Sequence, residues 1–180
     1  MNQKANGSGI GHRSVRFDIP IGEHYDDFRR MFESAVPLFN RERAVELVER
    51  KAPWEEVVAD VKAAAPHDFL LYWKLDLTPM MSLAGNTRRA TEYLMGNHTI
   101  AETMYRRDPA VALYVPLRCA IYEIDGQTRF VIEQPSTALA SLGSPESTQG
   151  GIELDRKLAK LLAALSVNTP EILSQAGKAA

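Results

Sequence analysis

A single cysteine, Cys119, is present in 180 residues, so no disulfide within the chain can staple the fold. Stability has to come from a packed core, and a lone thiol suits a reducing compartment. A surplus of one charge sign is lacking as well. The 21 Lys and Arg stand against 23 Asp and Glu, for a formal charge of -2. No basic excess is available for nonspecific binding to nucleic acid or to an anionic membrane surface. Long apolar runs are also missing: the densest, residues 69–73 and 111–115, are five residues each, where a membrane-spanning helix needs about 20. The first residues lack the apolar segment of a secretory signal, and cytoplasmic placement is the resulting expectation.

What is present is enough for one core. Hydrophobic residues make up 45% of the chain, and a single domain of this size buries about 70% of its unfolded surface. The composition predicts one domain over residues 14–170, between a polar Gly- and Ser-containing tail at 1–13 and a second tail at 171–180. No internal repeat of fixed period interrupts it.

Val15, Phe17, Ile19 and Ile21 alternate with Arg16, Asp18 and Pro20, the period of a half-buried strand, with Pro20 marking an edge or an end. Tyr25, Phe28, Phe32, Ala35 and Val36 then take helical spacing up to Pro37. Two further helices are predicted at 41–51, with Asn40 as cap, and at 53–65, with Trp54, Val57, Val58, Val61 and Ala65 on one face. Glu55, Glu56, Asp60 and Lys62 on its other side read as a solvated face.

Alternation returns from His67, and it assigns Phe69, Leu71, Trp73, Leu75 and Leu77 to the core side of a strand. A short strand at 90–95 and a helix at 97–107 follow. Beyond Asp108-Pro109, three extended runs are predicted at 110–115, 117–124 and 128–134, the last two joined at Asp125-Gly126, a strong hairpin signal. Residues 143–151 read as a loop, and a helix at 152–165 carries Leu154, Leu158, Leu161, Leu162 and Leu165 as its stripe. Strands segregated from a few helices make an α+β domain with helices packed on one sheet face. The other face is also apolar at Leu70, Tyr72, Ala120, Tyr122, Ile124 and Val131. It needs a cover: a second subunit, a ligand, or the helical stretch at 40–65.

Motifs for chemistry are scarce. Gly7, Gly9 and Gly11 follow a tail and precede a strand, the wrong context for a phosphate loop, and Gly150-Gly151 before the last helix is a better placed but weak anion site. The four histidines, His12, His24, His67 and His98, form no zincin pair. His98 and Glu102 share a helix face and could hold a cation between them, although Thr99 and Glu102 equally form a capping box and Asn97 equally a cap. Ser82 lacks the nucleophile-elbow context, and Cys119 lies mid-strand as a small hydrophobe. Glu123 shares the strand face of Leu117, Cys119 and Ile121, so it is the solvent-facing end of the strand, a paired structural charge or a functional acid. Arg118, on the opposite face with Tyr122, reads first as a plain surface or interface salt bridge, and could instead meet a substrate carboxylate or a partner chain. The sequence assigns no metal site and no cofactor, and leaves the catalytic residues unknown.

The order Gly96-Asn97, Ala101, Asp108-Pro109, Val115-Pro116-Leu117-Arg118, Tyr122-Glu123 and Asp125-Gly126 resembles the domain of unknown function 302 family over residues 93–135. The resemblance implies a TATA-binding-protein-like fold, a curved antiparallel sheet with a β-α-β(4)-α core, often as a homodimer, and no established activity. His98 stands where such domains commonly carry proline, and the stretch from Asn40 to Ala65 is longer than the usual connection. The positions this points to are Asn97, Arg118 and Glu123, joined by His98, with Tyr122 as an apolar platform bearing a hydroxyl. The resulting expectation is a homodimeric small-molecule-binding or interaction module that contacts neither nucleic acid nor membrane. The alternative is a small-molecule enzyme, metal-assisted or not, that uses His98, Glu102 or Glu123.

Overall fold

The computed structural model describes residues 9–171 and residue 173. The expectations for residues 1–8, Gly7 among them, and for nearly all of 171–180 lie outside the described residues. Strand β1 (Arg16–Pro20) is followed by α1 (Tyr25–Ala35), whose Tyr25, Phe28 and Phe32 form the buried stripe that helical spacing predicts. Asp26 and Asp27 in its first turn complement the helix dipole. Asn40 caps α2 (Arg41–Glu49) by accepting from the Arg43 amide at 2.9 Å. Helix α3 (Trp54–Ala64) starts after Pro53.

Only Leu47 and Val61 are buried within α2 and α3, while Trp54 and Val58, expected on the packed face, are exposed. Ion pairs join the two helices instead. Arg43 reaches Asp60 at 2.9 Å and Glu56 at 3.2 Å, and Arg50 reaches Glu56 at 2.9 Å. The acidic side of α3 is therefore partly an interhelix network rather than a solvated face.

Strand β2 (Leu70–Asp76) departs from simple alternation. Leu71 pairs with Met95, but Trp73 pairs with Leu94, so one extra residue is inserted and every side chain beyond it changes face. Trp73 and Leu75 are consequently exposed rather than in the core. Lys74 and Asp76 take the inner side and are met by α1, through Glu33 at 2.8 Å and Arg29 at 3.2 Å. A short helix α4 (Thr78–Ser82) occupies the connection to β3 (Ala90–Gly96).

Asn97 caps α5 (His98–Tyr105), and Asp108 then starts a 3-10 turn at Pro109–Leu113 by accepting from the Ala110 amide at 2.9 Å. This turn replaces the first of the three extended runs. Pro109 and the Asp108 cap favour a tight turn, and only Val111 within it is buried. Strands β4 (Leu117–Ile124) and β5 (Gln127–Glu133) form the expected hairpin, with positive φ at both Asp125 and Gly126 as a type I′ turn requires.

Helix α6 (Pro135–Ala140) precedes α7 (Pro145–Ala164), which starts two turns earlier than its leucine stripe suggests. Ser144 caps it, accepting from the Ser147 amide at 3.0 Å. Gly150 and Gly151 lie inside this helix. A Cβ on Gly151 would fall 2.7 Å from the Ser136 Cα, and one on Gly150 would fall 2.3 Å from the Met104 Sδ. These glycines serve close approach and no longer offer free amides to an anion.

The five strands form one open antiparallel sheet in the order β1-β5-β4-β3-β2. Its inner face carries Ile19, Phe130, Ile132, Cys119, Ile121, Tyr93 and Met95 into one core with α1 and α7. The rings of Phe32, Tyr93 and Phe130 pack at 5.0 and 5.6 Å between centroids, and Leu173 joins the same core. Helix α3 and the residue after it build a small separate cluster of Val61, Ala65 and Leu70 with Phe39 and Tyr72 at the β2 edge. Among the described residues, no helix is long and apolar enough to cross a membrane.

Candidate functional site

Register places the outer sheet face in rows, since directly opposed residues of an antiparallel pair share a side. One row runs Asp18, Val131, Ala120, Glu92, Leu75; a second runs Pro20, Arg129, Tyr122, Ala90. A third holds Arg16 opposite Glu133 at one edge, and Arg118 opposite Leu94 opposite Trp73 toward the other. Charge gathers on the β1–β5–β4 side and apolar side chains on the β3–β2 side. Beyond β2, Met80, Met81 and Leu83 of α4 and the residue after it are exposed as well.

Two concavities open on this face. One, of about 560 Å³, is lined by His12, Leu94, Leu113, Tyr114, Arg118 and Glu133 among others. The other, of about 470 Å³, has a floor of Ala120 and Val131 with Arg16, Leu77 and Glu92 around it. Arg118 and Glu133 line both. Each is within the range of small-molecule sites, and an apolar floor with a few converging charges is the usual make-up of one.

Arg118 makes a 3.3 Å ion pair with Glu92 through Nε, and its side chain is 78% exposed. A guanidinium carries five N–H donors, so one carboxylate at that distance leaves most of them for a ligand. Asp18 accepts from the Tyr122 hydroxyl at 2.8 and 2.9 Å and from Arg129 Nε at 2.7 Å. Burial pushes the Asp18 carboxyl up, but these two donors hold it below the usual range. Burial, and then the neighbouring Asp18, push the Tyr122 phenol upward. The hydroxyl that Tyr122 was expected to offer a ligand is thus given to Asp18.

Asn97 is structural: its Oδ1 accepts from the Thr99 amide at 2.9 Å, and its Nδ2 donates to the Asp68 carbonyl at 3.0 Å. The cap is Asn97, not the alternative box at Thr99. His98 turns Nδ1 to the Tyr72 hydroxyl at 2.7 Å, and its amide donates to the same oxygen at 3.1 Å. Burial lowers the proton affinity of this imidazole, with Asp60 opposing in part. Glu102 forms an ion pair with Arg106 one turn on. Glu123 is half-buried at the hairpin end of β4 opposite Thr128, its amide donating to the Arg89 carbonyl at 2.9 Å. Cys119 is buried, and burial pushes its thiol up.

The candidates therefore divide. Asn97 and His98 share a small pocket, Arg118 lies in the groove, and Tyr122 and Glu123 line none of these three spaces. Among the described residues, no group of three or more His, Cys, Asp or Glu is placed to hold a metal ion. Arg16, Glu92 and Glu133 were missed as companions of Arg118. Alternation already placed Arg16 on the outer side of β1, but only sheet order brings it next to Glu133.

A family model described as Domain of unknown function DUF302 matches residues 47–165. Among solved structures, the crystal structure of an uncharacterized conserved protein DUF302 from Bacillus stearothermophilus is similar, with a TM-score of 0.59. The two are 12% identical, and the likeness covers 82% of this chain and 95% of that one. No curated protein matches.

Proposed function

This chain belongs to the DUF302 family, and from that premise we propose that it is a homodimeric small-molecule-binding module whose working surface is the open face of the sheet. One observation carries the reading: two concavities of ligand size meet at Arg118 on a face that α1 and α7 leave bare. The ligand that suits this groove has an apolar body, laid along Ala120, Val131 and Leu94, and one anionic group held by Arg118. Glu92 and Glu133 beside the arginines disfavour a polyanion, which fits a chain with no basic surplus. The β1-β5-β4-β3-β2 antiparallel sheet, its first strand followed by a helix and the whole closed by a long final helix, supports the TATA-binding-protein-like comparison as a statement about architecture, although α4 and α5 interrupt the run of four strands, and no nucleic-acid role comes with it.

The apolar half of the face is assigned to a second copy. Trp73, Leu75, Met80, Met81 and Leu83 follow one another along β2 and α4 as exposed large side chains, and a twofold pairing would bury the same strip on both partners. Native mass spectrometry of untagged protein tests both parts in one spectrum. The expected result is a dimer that retains a small molecule, and that loses the molecule but not the dimer when Arg118→Ala is introduced. A bare monomer at micromolar concentration would overturn the reading.

A further inference from the structure

A third space lies where β3 ends and α5 begins. It measures about 210 Å³ and is lined by Tyr72, Gly96, His98, Ala101, Val115 and Pro116, with Asn97 at its side. Its walls are held from several directions. Asn97 fixes the first turn of α5 by capping it and by donating to the Asp68 carbonyl. Phe39 stacks on Tyr72 at 4.7 Å between centroids and meets the His98 ring edge-on at 5.7 Å. A Cβ on Gly96 would lie 3.3 Å from the Pro116 Cα and 3.5 Å from the Tyr72 ring, so glycine lets these walls close on one another.

The hydrogen bonds of Tyr72 define how His98 can act. The phenol oxygen receives the His98 amide at 3.1 Å, and the imidazole Nδ1 is 2.7 Å away. No other hydrogen bond of that hydroxyl occurs among the described residues. The phenol proton therefore goes to Nδ1, which makes Nδ1 the acceptor and leaves the imidazole proton on Nε2. Burial lowers the proton affinity of the ring and so favours its neutral form, with Asp60 opposing. His98, which lines the pocket, then has Nε2 as its single ring N–H donor, and no hydrogen bond of that donor occurs among the described residues.

We propose that this pocket is a binding site for a small uncharged carbonyl compound, a ketone, aldehyde or amide, whose oxygen accepts from His98 Nε2 and whose apolar body lies on Tyr72, Val115 and Pro116. The lining holds no Lys or Arg, and Asp60 acts on His98 as a nearby negative charge, so a carboxylate is disfavoured. At roughly 30 Å³ for each water-sized group, the space takes about seven heavy atoms. Tyr72 is a positioning residue here, since it acts by fixing the His98 tautomer. The site shares Pro116 with the concavity of about 560 Å³ and no lining residue with the Ala120–Val131 floor, and its recognition by His98 does not depend on the open-face reading.

Cyclopentanone is the probe, read by long-range proton–nitrogen NMR of the histidine side chains at neutral pH. His98 is expected to give the pattern of a neutral ring protonated at Nε2, and its signals to move saturably as the ketone is added. Butyrate should leave them in place. His98→Phe, which keeps a ring of similar shape, should weaken binding about tenfold by removing the donor. Ala101→Leu should block the pocket while His98 keeps its tautomer, and it decides the matter if His98→Phe does not fold. Tyr72→Phe should shift the tautomer toward Nδ1. A cationic or Nδ1-protonated His98 in the unmutated protein would overturn the proposal. So would signals that do not respond to the ketone, or butyrate binding as tightly as the ketone.

Discussion

Asp155 is fully buried on α7, and each of its oxygens has a donor: Gln134 Nε2 at 2.8 Å, the Ser136 amide at 3.0 Å and Ser136 Oγ at 2.6 Å. One carboxylate thus satisfies the first turn of α6 and ties it to α7. Asp155→Ala leaves a buried amide and hydroxyl without partners and is expected to cost about 2 to 4 kcal/mol in urea unfolding. Asp155→Asn keeps an acceptor and should cost less. Burial pushes this carboxyl above the usual range, against the pull of the Ser136 and Gln134 hydrogen bonds. The folded state therefore holds a proton that the unfolded chain has released between the ordinary carboxylate value and the raised one. The contribution of Asp155 to stability rises as pH falls through the raised value and levels off below the ordinary one. The stability difference between the unmutated protein and Asp155→Asn, followed against pH, should show that rise on acidification. A flat difference would contradict it.

At the scale of elements, the glycine pair of α7 separates two kinds of close contact. Alanine gains about 1 kcal/mol of helix propensity over glycine in a helix interior. At Gly151 the added methyl would lie 2.7 Å from the Ser136 Cα, a backbone atom, whereas at Gly150 it would meet the Met104 side chain. Gly151→Ala is expected to be net destabilising by about 1 to 2 kcal/mol, and Gly150→Ala less so, with thermal unfolding as the check. The same pair accounts for the difference between the expected and the observed start of α7: glycines in sequence punctuate loops, and only the packed partner shows that they admit a neighbouring helix. The legible elements were those with local causes. The spacing of Tyr25, Phe28 and Phe32, the Asn40 and Asn97 caps, and Asp125-Gly126 each act within a few residues. The extra residue in β2 left no local mark, because the inner positions it gave to Lys74 and Asp76 are satisfied by Glu33 and Arg29 on α1. The site divides in the same way. Arg118 and His98 could be singled out from sequence, but Tyr72 as the partner of His98, and Glu133 and Arg16 as companions of Arg118, follow from register between strands distant in sequence.

For the whole molecule, the consequence of the β2 shift is a sheet with unequal faces. The inner face is closed by α1 and α7, and the outer face keeps Trp73 and Leu75 exposed beside the apolar residues of α4. Exposed side chains contribute little to the stability of a lone subunit, so charged replacements there should leave the monomer folded. If a second copy covers the strip, dissociation accompanies unfolding and mass action links the two. The unfolding midpoint of the unmutated protein then rises with protein concentration. The double variant Trp73→Glu with Leu75→Lys should unfold at a midpoint that does not depend on concentration and match the unmutated protein at its most dilute. Arg118→Ala should keep the concentration dependence, because its side chain belongs to the groove and not to the strip. A midpoint independent of concentration in the unmutated protein would overturn the assignment of Trp73 and Leu75 to a second copy and separate ligand binding in the groove from self-association.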